Sequence, residues 1–145
     1  MEIYIGSDHA GFQVKEKLKQ FLKKKGFKII DLGTDSEESI DYPDIAKKVA
    51  ANVVEDNTKG ILICGSGTGM CIAANKIKGT RAVLCYDTYT AKMSRAHNDA
   101  NILCLRAREF PYERIEEIVA VWLDTDFSRE VRHQKRVDKI RRIEQ

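Results

Sequence analysis

Five short, almost continuously apolar runs divide this sequence, and nearly every one is followed by a stretch with the helical repeat. The runs are residues 2–6 (EIYIG), 27–31 (FKIID), 61–64 (ILIC), 82–85 (AVLC) and 101–105 (NILCL). A strand that is apolar on both faces must be covered on both faces. Short buried strands separated by helices therefore predict a parallel sheet with right-handed crossovers and helices on either side. After Gly11, the apolar positions Val14, Leu18, Phe21 and Leu22 recur at i, i+4, i+7 and i+8, and Gly26 supplies a stop. Pro43 falls near the first turn of a second helix, with Ile45, Val49, Val53 and Ala46, Ala50, Val54 lining one side. Further helical stretches are expected at about 67–77, 88–97 and 112–123. The pattern amounts to five β-α units.

A length of 145 residues, 43% hydrophobic and 32% charged, suits one domain spanning 1–145. The apolar runs are too short to cross a membrane, and the N-terminus enters strand-like sequence without a signal peptide, so a soluble cytoplasmic protein is expected. Cys64, Cys71, Cys85 and Cys104 lack CxxC or Cys/His metal spacing; three of them sit in the apolar runs, and reduced thiols are the better reading. The formal charge of +3 is too small to define a nucleic-acid binder. It is unevenly spread, however: seven Lys or Arg residues lie between Arg129 and Arg142 against Glu130 and Asp138.

Open parallel sheets bind ligands at the carboxyl ends of their strands. Three polar turns are candidates for that edge: Gly6-Ser7-Asp8-His9-Ala10-Gly11, Cys64-Gly65-Ser66-Gly67-Thr68-Gly69, and Arg95 to Asn101 before the fifth strand. Glycines at 65, 67 and 69 allow consecutive backbone N–H groups to face one concavity at a helix start, which suits an anionic oxygen. Each motif has a plainer reading. The glycine spacing matches neither GxGxxG nor the P-loop. A cysteine at a strand end is more often a small buried hydrophobe, Asp8-His9 and His97-Asn98-Asp99 can be turn chemistry, and a basic helix is by default a solvated face. Their expected gathering at one edge of the sheet favours function.

The blocks GSDHAGF (6–12), DYP (41–43), GILICGSGTGM with IAANK (60–76), SRAHNDANIL (94–103) and RHQKR (132–136) resemble, in order along essentially the whole chain, the type B ribose-5-phosphate isomerases. The wider family includes galactose-6-phosphate and allose-6-phosphate isomerases. The resemblance implies a three-layer α/β/α Rossmann-like fold with a five-stranded parallel sheet and a C-terminal helix. It also implies no metal or organic cofactor, and a homodimer with shared active sites that a dimer of dimers would extend. By position, Cys64 matches the base of the cysteine branch, and Met70 stands where another branch has a glutamate base. Ser66 replaces the usual threonine. His97 matches the ring-opening residue, Asp8 a sugar-orienting aspartate and Asn98 a substrate-binding amide, while His9, Arg108, Arg132 and Arg136 match the phosphate-binding set. Cys71 holds a position that is commonly serine, and Ser128-Arg129-Glu130-Val131 replaces a Gly-Gly approach to the Arg-His pair.

Aldose–ketose interconversion needs one base and one site for a developing oxyanion. Thiols at helix starts ionise closer to neutrality, so Cys64 fits the base, and the N–H groups of Gly65, Gly67, Thr68 and Gly69 fit the oxyanion site. His97, whose charge changes near neutral pH, suits ring opening with the Ser66 hydroxyl. Arg132 and Arg136, four apart on a helix, can grip one phosphate. The expected activity is the interconversion of ribose 5-phosphate and ribulose 5-phosphate, a pentose phosphate pathway step. The alternatives are a six-carbon aldose phosphate isomerase (allose 6-phosphate or galactose 6-phosphate) and a non-catalytic sugar-phosphate sensor. No nucleic-acid or membrane partner is expected, since few aromatics are interleaved with the basic residues.

Overall fold

The computed structural model describes residues 1–144. In chain order the elements are β1 (Glu2–Ser7), α1 (Phe12–Lys24), β2 (Lys28–Asp31), α2 (Tyr42–Glu55), β3 (Lys59–Cys64) and α3 (Thr68–Ala74). They continue with β4 (Ala82–Leu84), α4 (Thr88–Asn98), β5 (Ile102–Arg106), α5 (Tyr112–Asp124) and α6 (Val131–Ile143). The five strands are all parallel and ordered β2-β1-β3-β5-β4. From β1 the chain winds outward to β2, then returns past β1 to β3 on its other side. The winding thus reverses between β1 and β3, and a crevice for ligands opens at their carboxyl ends.

Side-chain alternation assigns the two faces. Ile3 and Ile5 of β1, Ile61 and Ile63 of β3, and Leu103 and Leu105 of β5 meet Leu18 and Leu22 of α1 and Ile115, Ile118, Val119 and Trp122 of α5. Tyr4, Leu62, Cys64, Ile102 and Cys104 face the other way, onto Ile45, Ala46, Val49, Ala50 and Val53 of α2 and Met70 and Ala74 of α3. The predicted α/β/α layering is therefore present, with α6 added beside α4. Among the described residues no helix is long and apolar enough to cross a membrane.

Two expectations need adjustment. Val54 does not join the buried stripe of α2; it is 36% exposed and covers Gly79 instead. Helix α3 stops at Ala74 rather than near 77, because Asn75 turns to the edge strand: its Nδ2 donates to the Ala82 carbonyl at 2.9 Å and its Oδ1 accepts from the Ala82 N–H at 2.8 Å.

Candidate active site

Strand β3 ends on Cys64, whose side chain is only 5% exposed, and the chain then turns through Gly65, Ser66 and Gly67 into α3. Three successive carbonyls in this turn are each held from the neighbouring β4 and β5 loops. Cys64 O accepts from Ala107 N–H at 3.0 Å and Gly65 O from Arg108 N–H at 3.1 Å. Ser66 O accepts from the Tyr86 hydroxyl at 3.2 Å. In a trans peptide the N–H points opposite to the C=O, so the N–H groups of Gly65, Ser66 and Gly67 face away from those loops. The Gly67 N–H reaches Cys64 Sγ at 3.1 Å. Those of Gly65 and Ser66 have no acceptor among the described residues. Gly67 has φ +80°, and a Cβ there would lie 2.5 Å from Leu84 and 3.0 Å from the Leu105 backbone, so both its conformation and its surroundings demand glycine. The Ser66 side chain stays local, accepting from Thr68 N–H at 3.3 Å.

Two neighbouring segments complete this edge. The β1 loop touches the end of β3: Asp8 N–H donates to Ile63 O at 3.2 Å. Asp8, 6% exposed, accepts the Gly11 N–H on Oδ1 at 3.1 Å. His9 Nδ1 accepts from Ile40 N–H at 3.3 Å. On the other flank, the Arg108 guanidinium lies over the turn, with Nη1 3.3 Å from where a Gly65 Cβ would be. Gly65, Ser66, Tyr86, Arg106, Arg108 and Glu109 line a cavity of about 730 Å³ there. Tyr42 of α2 covers Gly69, its ring 2.5 Å from where a Cβ would sit.

The remaining predicted residues are not at this edge, which corrects the expectation that all three turns gather at the carboxyl ends. Helix α4 runs antiparallel to the strands, so its last turn, carrying His97 and Asn98, returns to the amino edge. Arg81, just before β4, fixes it there, its Nε donating to the carbonyls of Asn98 at 3.1 Å and Asp99 at 3.0 Å. Arg95, from the same segment, is a buried tie to the Thr125 and Ala100 carbonyls and to Asp99. A strand rises about 3.3 Å per residue, so the six residues of β3 put on the order of 15–20 Å between the edges.

At the amino edge His97 stacks on His133 of α6, ring centroids 4.2 Å apart. Ser128 N–H donates to Ala96 O at 3.0 Å, and Ser128 Oγ shares a 2.6 Å hydrogen bond with His133 Nδ1. Burial, followed by the nearby His97 and Arg132, pushes the His133 imidazole below the ordinary histidine pKa. Arg132 and Arg136 are exposed on α6, Arg132 Nε donating to Glu130 Oε2 at 2.9 Å. The predicted residues thus fall into two groups: Asp8, His9, the 64–69 turn and Arg108 at one edge, and His97, Asn98, Arg132 and Arg136 at the other. Sequence reading missed Tyr42, Tyr86 and His133. Tyr42 lies in the DYP block and His133 in the RHQKR block, and His133 also shares with Val137 the buried i, i+4 stripe of α6; Tyr86 had no such signal.

Of the two glutamate-or-cysteine positions, only Cys64 faces the turn. Met70 is fully buried in the α2–α3 core.

Known proteins resemble this chain along nearly its whole length. The family model described as Ribose/Galactose Isomerase matches residues 3–140. Ribose-5-phosphate isomerase B of Escherichia coli is 44% identical over 145 residues, covering 99% of this chain and 97% of that protein. The solved structure of ribose-5-phosphate isomerase B from Clostridium thermocellum superposes with a TM-score of 0.96 at 49% identity, covering 99% and 97% of the two chains. That of Mycoplasma genitalium, with bound ribulose 5-phosphate, gives 0.94 at 42% identity, covering 99% and 95%. With a matching model over nearly its whole length and relatives this similar from end to end, the chain belongs to the ribose/galactose isomerase family.

Proposed function

We propose that this chain is a ribose-5-phosphate isomerase, interconverting D-ribose 5-phosphate and D-ribulose 5-phosphate through an enediolate, in an active site shared between two copies of the chain. The observation that carries this reading is the β3 turn. A cysteine there sits beside two backbone N–H groups without acceptors, on a loop whose carbonyls all point elsewhere. The Cys64 thiolate removes the C2 proton of the open-chain aldose and returns it to C1. The Gly65 and Ser66 N–H groups meet the negative charge on oxygen, which is largest in the transition state. The Gly67 N–H donates to the sulfur at 3.1 Å and orients it.

The second copy supplies what this edge lacks. Its His97, with the Ser66 hydroxyl of the first copy, moves the protons that open the furanose ring, and its Asn98 and this chain's Asp8 hold sugar hydroxyls. His9 and Arg108 of one copy, with Arg132 and Arg136 of the other, hold the phosphate. A two-fold axis builds two such sites from one pair of chains. The five-carbon substrate is supported by the relatives, several of which are named ribose-5-phosphate isomerase B. Four free thiols, one of them the base, suit the reducing cytoplasm.

The test is a coupled isomerase assay on ribose 5-phosphate, allose 6-phosphate and galactose 6-phosphate. Ribose 5-phosphate is expected to have the highest kcat/KM, and Cys64→Ala to lower kcat roughly 10²–10⁴-fold with its circular dichroism unchanged. Preference for a hexose phosphate would move the activity to the six-carbon branch. Wild-type turnover by Cys64→Ala would remove this cysteine from the mechanism.

A further inference from the structure

We propose that Tyr86 is a positioning residue for the base: its hydroxyl holds the Ser66–Gly67 peptide in the orientation that aims the Gly67 N–H at Cys64 Sγ. This deepens the isomerase reading and rests on it. Of the three carbonyls that set the turn, those of Cys64 and Gly65 are held by backbone N–H groups continuing the β3–β5 pairing. Among the described residues the Ser66 carbonyl has the Tyr86 hydroxyl as its donor, at 3.2 Å. That third peptide is the one whose N–H meets the sulfur, at 3.1 Å. It is also the one the local sequence holds least, because glycine on its carboxyl side accepts either sign of φ and a peptide flip there meets little intrinsic resistance.

Tyr86 is itself held in place although it is 43% exposed. Its ring lies 6.3 Å from that of Phe110, and the Arg106 guanidinium stands 6.0 Å from its centroid on the other contact. Arg106 Nε donates to Arg108 O at 2.7 Å, and its Nη2 is 3.7 Å from Glu109 Oε2. The residue whose N–H fixes Gly65 O and the side chain that steadies Tyr86 are thus joined. The turn's three carbonyls are thus braced by a single connected group.

Tyr86→Phe removes the hydroxyl and keeps the ring. The expected result is a kcat lowered about 3- to 10-fold, the effect of losing one hydrogen bond that acts on the chemical step. KM for ribose 5-phosphate should stay within about twofold and the melting temperature should be unchanged. Iodoacetamide labelling at Cys64, followed by peptide mass spectrometry at one fixed pH, should slow in parallel, because the thiolate loses an aligned donor. This second readout needs no turnover. Labelling and kcat both at the wild-type level would overturn the proposal. A raised KM with unchanged kcat would overturn it too, making Tyr86 a substrate contact, as would a lowered kcat with unchanged labelling. If Cys64→Ala retains turnover, the isomerase mechanism fails, yet the labelling arm still decides whether Tyr86 controls the Cys64 thiol.

Discussion

Four cysteines of similar sequence context have different surroundings, and only Cys64 combines a strand end with a backbone N–H facing its sulfur. Burial pushes the Cys85 thiol up to about 12 and raises that of Cys104 well above its ordinary value, so both stay protonated and inert. Cys71 is held down to about 7 by a hydrogen bond from Cys104 and the Leu84 N–H, against the cost of burial, but it lies on α3 facing β4 and not the turn. Chemical labelling therefore has to be read residue by residue. The sequence could single out Cys64 because strand ends and glycines are local features. It could not single out Tyr86, nor the contact of Tyr42 with Gly69, since both cross from other β-α units. His133 supplies a residue-scale prediction. Its pKa is lowered in the fold by burial first, then by His97, Arg132 and Arg136, with Glu130 opposing. Below about pH 6.5 the unfolded chain therefore binds a proton that the native state resists. Its stabilising contribution is complete above that pH and fades as the pH falls. Thermal melts between pH 7 and pH 5 should lose stability more steeply for the wild type than for His133→Gln; parallel curves would show that this imidazole titrates normally.

At the scale of elements, the continuous apolar runs and the period-3.6 patterns made the strands and helices readable, since burial on both faces or on one is written into neighbouring residues. Which sheet edge the 95–101 segment occupies was misread for a topological reason. A segment that follows a helix and precedes a parallel strand lies at the amino edge, however polar it is. The α1–β2 junction was also hidden, because Lys15 reads as one more surface lysine on a charged helix. It is fully buried: its Nζ lies 2.5 Å from Asp31 Oδ2 and 3.4 Å from Glu16 Oε1. Lys19 joins at 2.7 Å from the same Asp31 oxygen. Burial alone would raise the Asp31 pKa, but hydrogen bonds from Lys15, Lys19 and the Gly33 N–H outweigh it and hold the carboxyl below the usual range. Asp31 thereby ties α1 to the Gly33–Thr34 loop, which pairs with Ser7 through Gly33 O at 2.6 Å and Thr34 N–H at 2.9 Å, one residue before Asp8. Asp31→Ala leaves the buried Lys15 ammonium with only the longer Glu16 contact and should cost roughly 3 kcal/mol in urea unfolding, whereas Lys15→Met, which removes the buried charge itself, should cost less. A smaller loss for Asp31→Ala than for Lys15→Met would mean that the carboxylate, not the lysine, is the costly buried group.

For the whole molecule, the proposed shared site follows from the separation of the predicted residues onto opposite edges of one sheet. On the proposed reading, Cys64 and the Arg132–Arg136 pair of one chain serve different sites, since the length of β3 lies between the two sheet edges. On the proposed shared-site reading, two chains paired about a two-fold axis would set the carboxyl edge of one against the amino edge of the other twice over, and each site would draw on both chains. A Cys64→Ala chain then damages the site to which it gives its own β3 turn, and an Arg136→Ala chain damages the site to which it gives its α6. When the two variants are co-refolded, a mixed dimer has one site built from Cys64→Ala turn and Arg136→Ala helix, doubly damaged, and one built from the two intact halves. Random mixing of equal amounts makes half of the dimers mixed, by simple combinatorics. With one working site in each, activity should recover to about a quarter of the wild-type value per chain. Each variant alone should be at or near background. Tagging the two chains differently and isolating the mixed dimer should raise the recovered activity to about half. Mixed dimers as inactive as the parents would place the arginines and the cysteine in one chain's site, against the separation that the parallel sheet imposes.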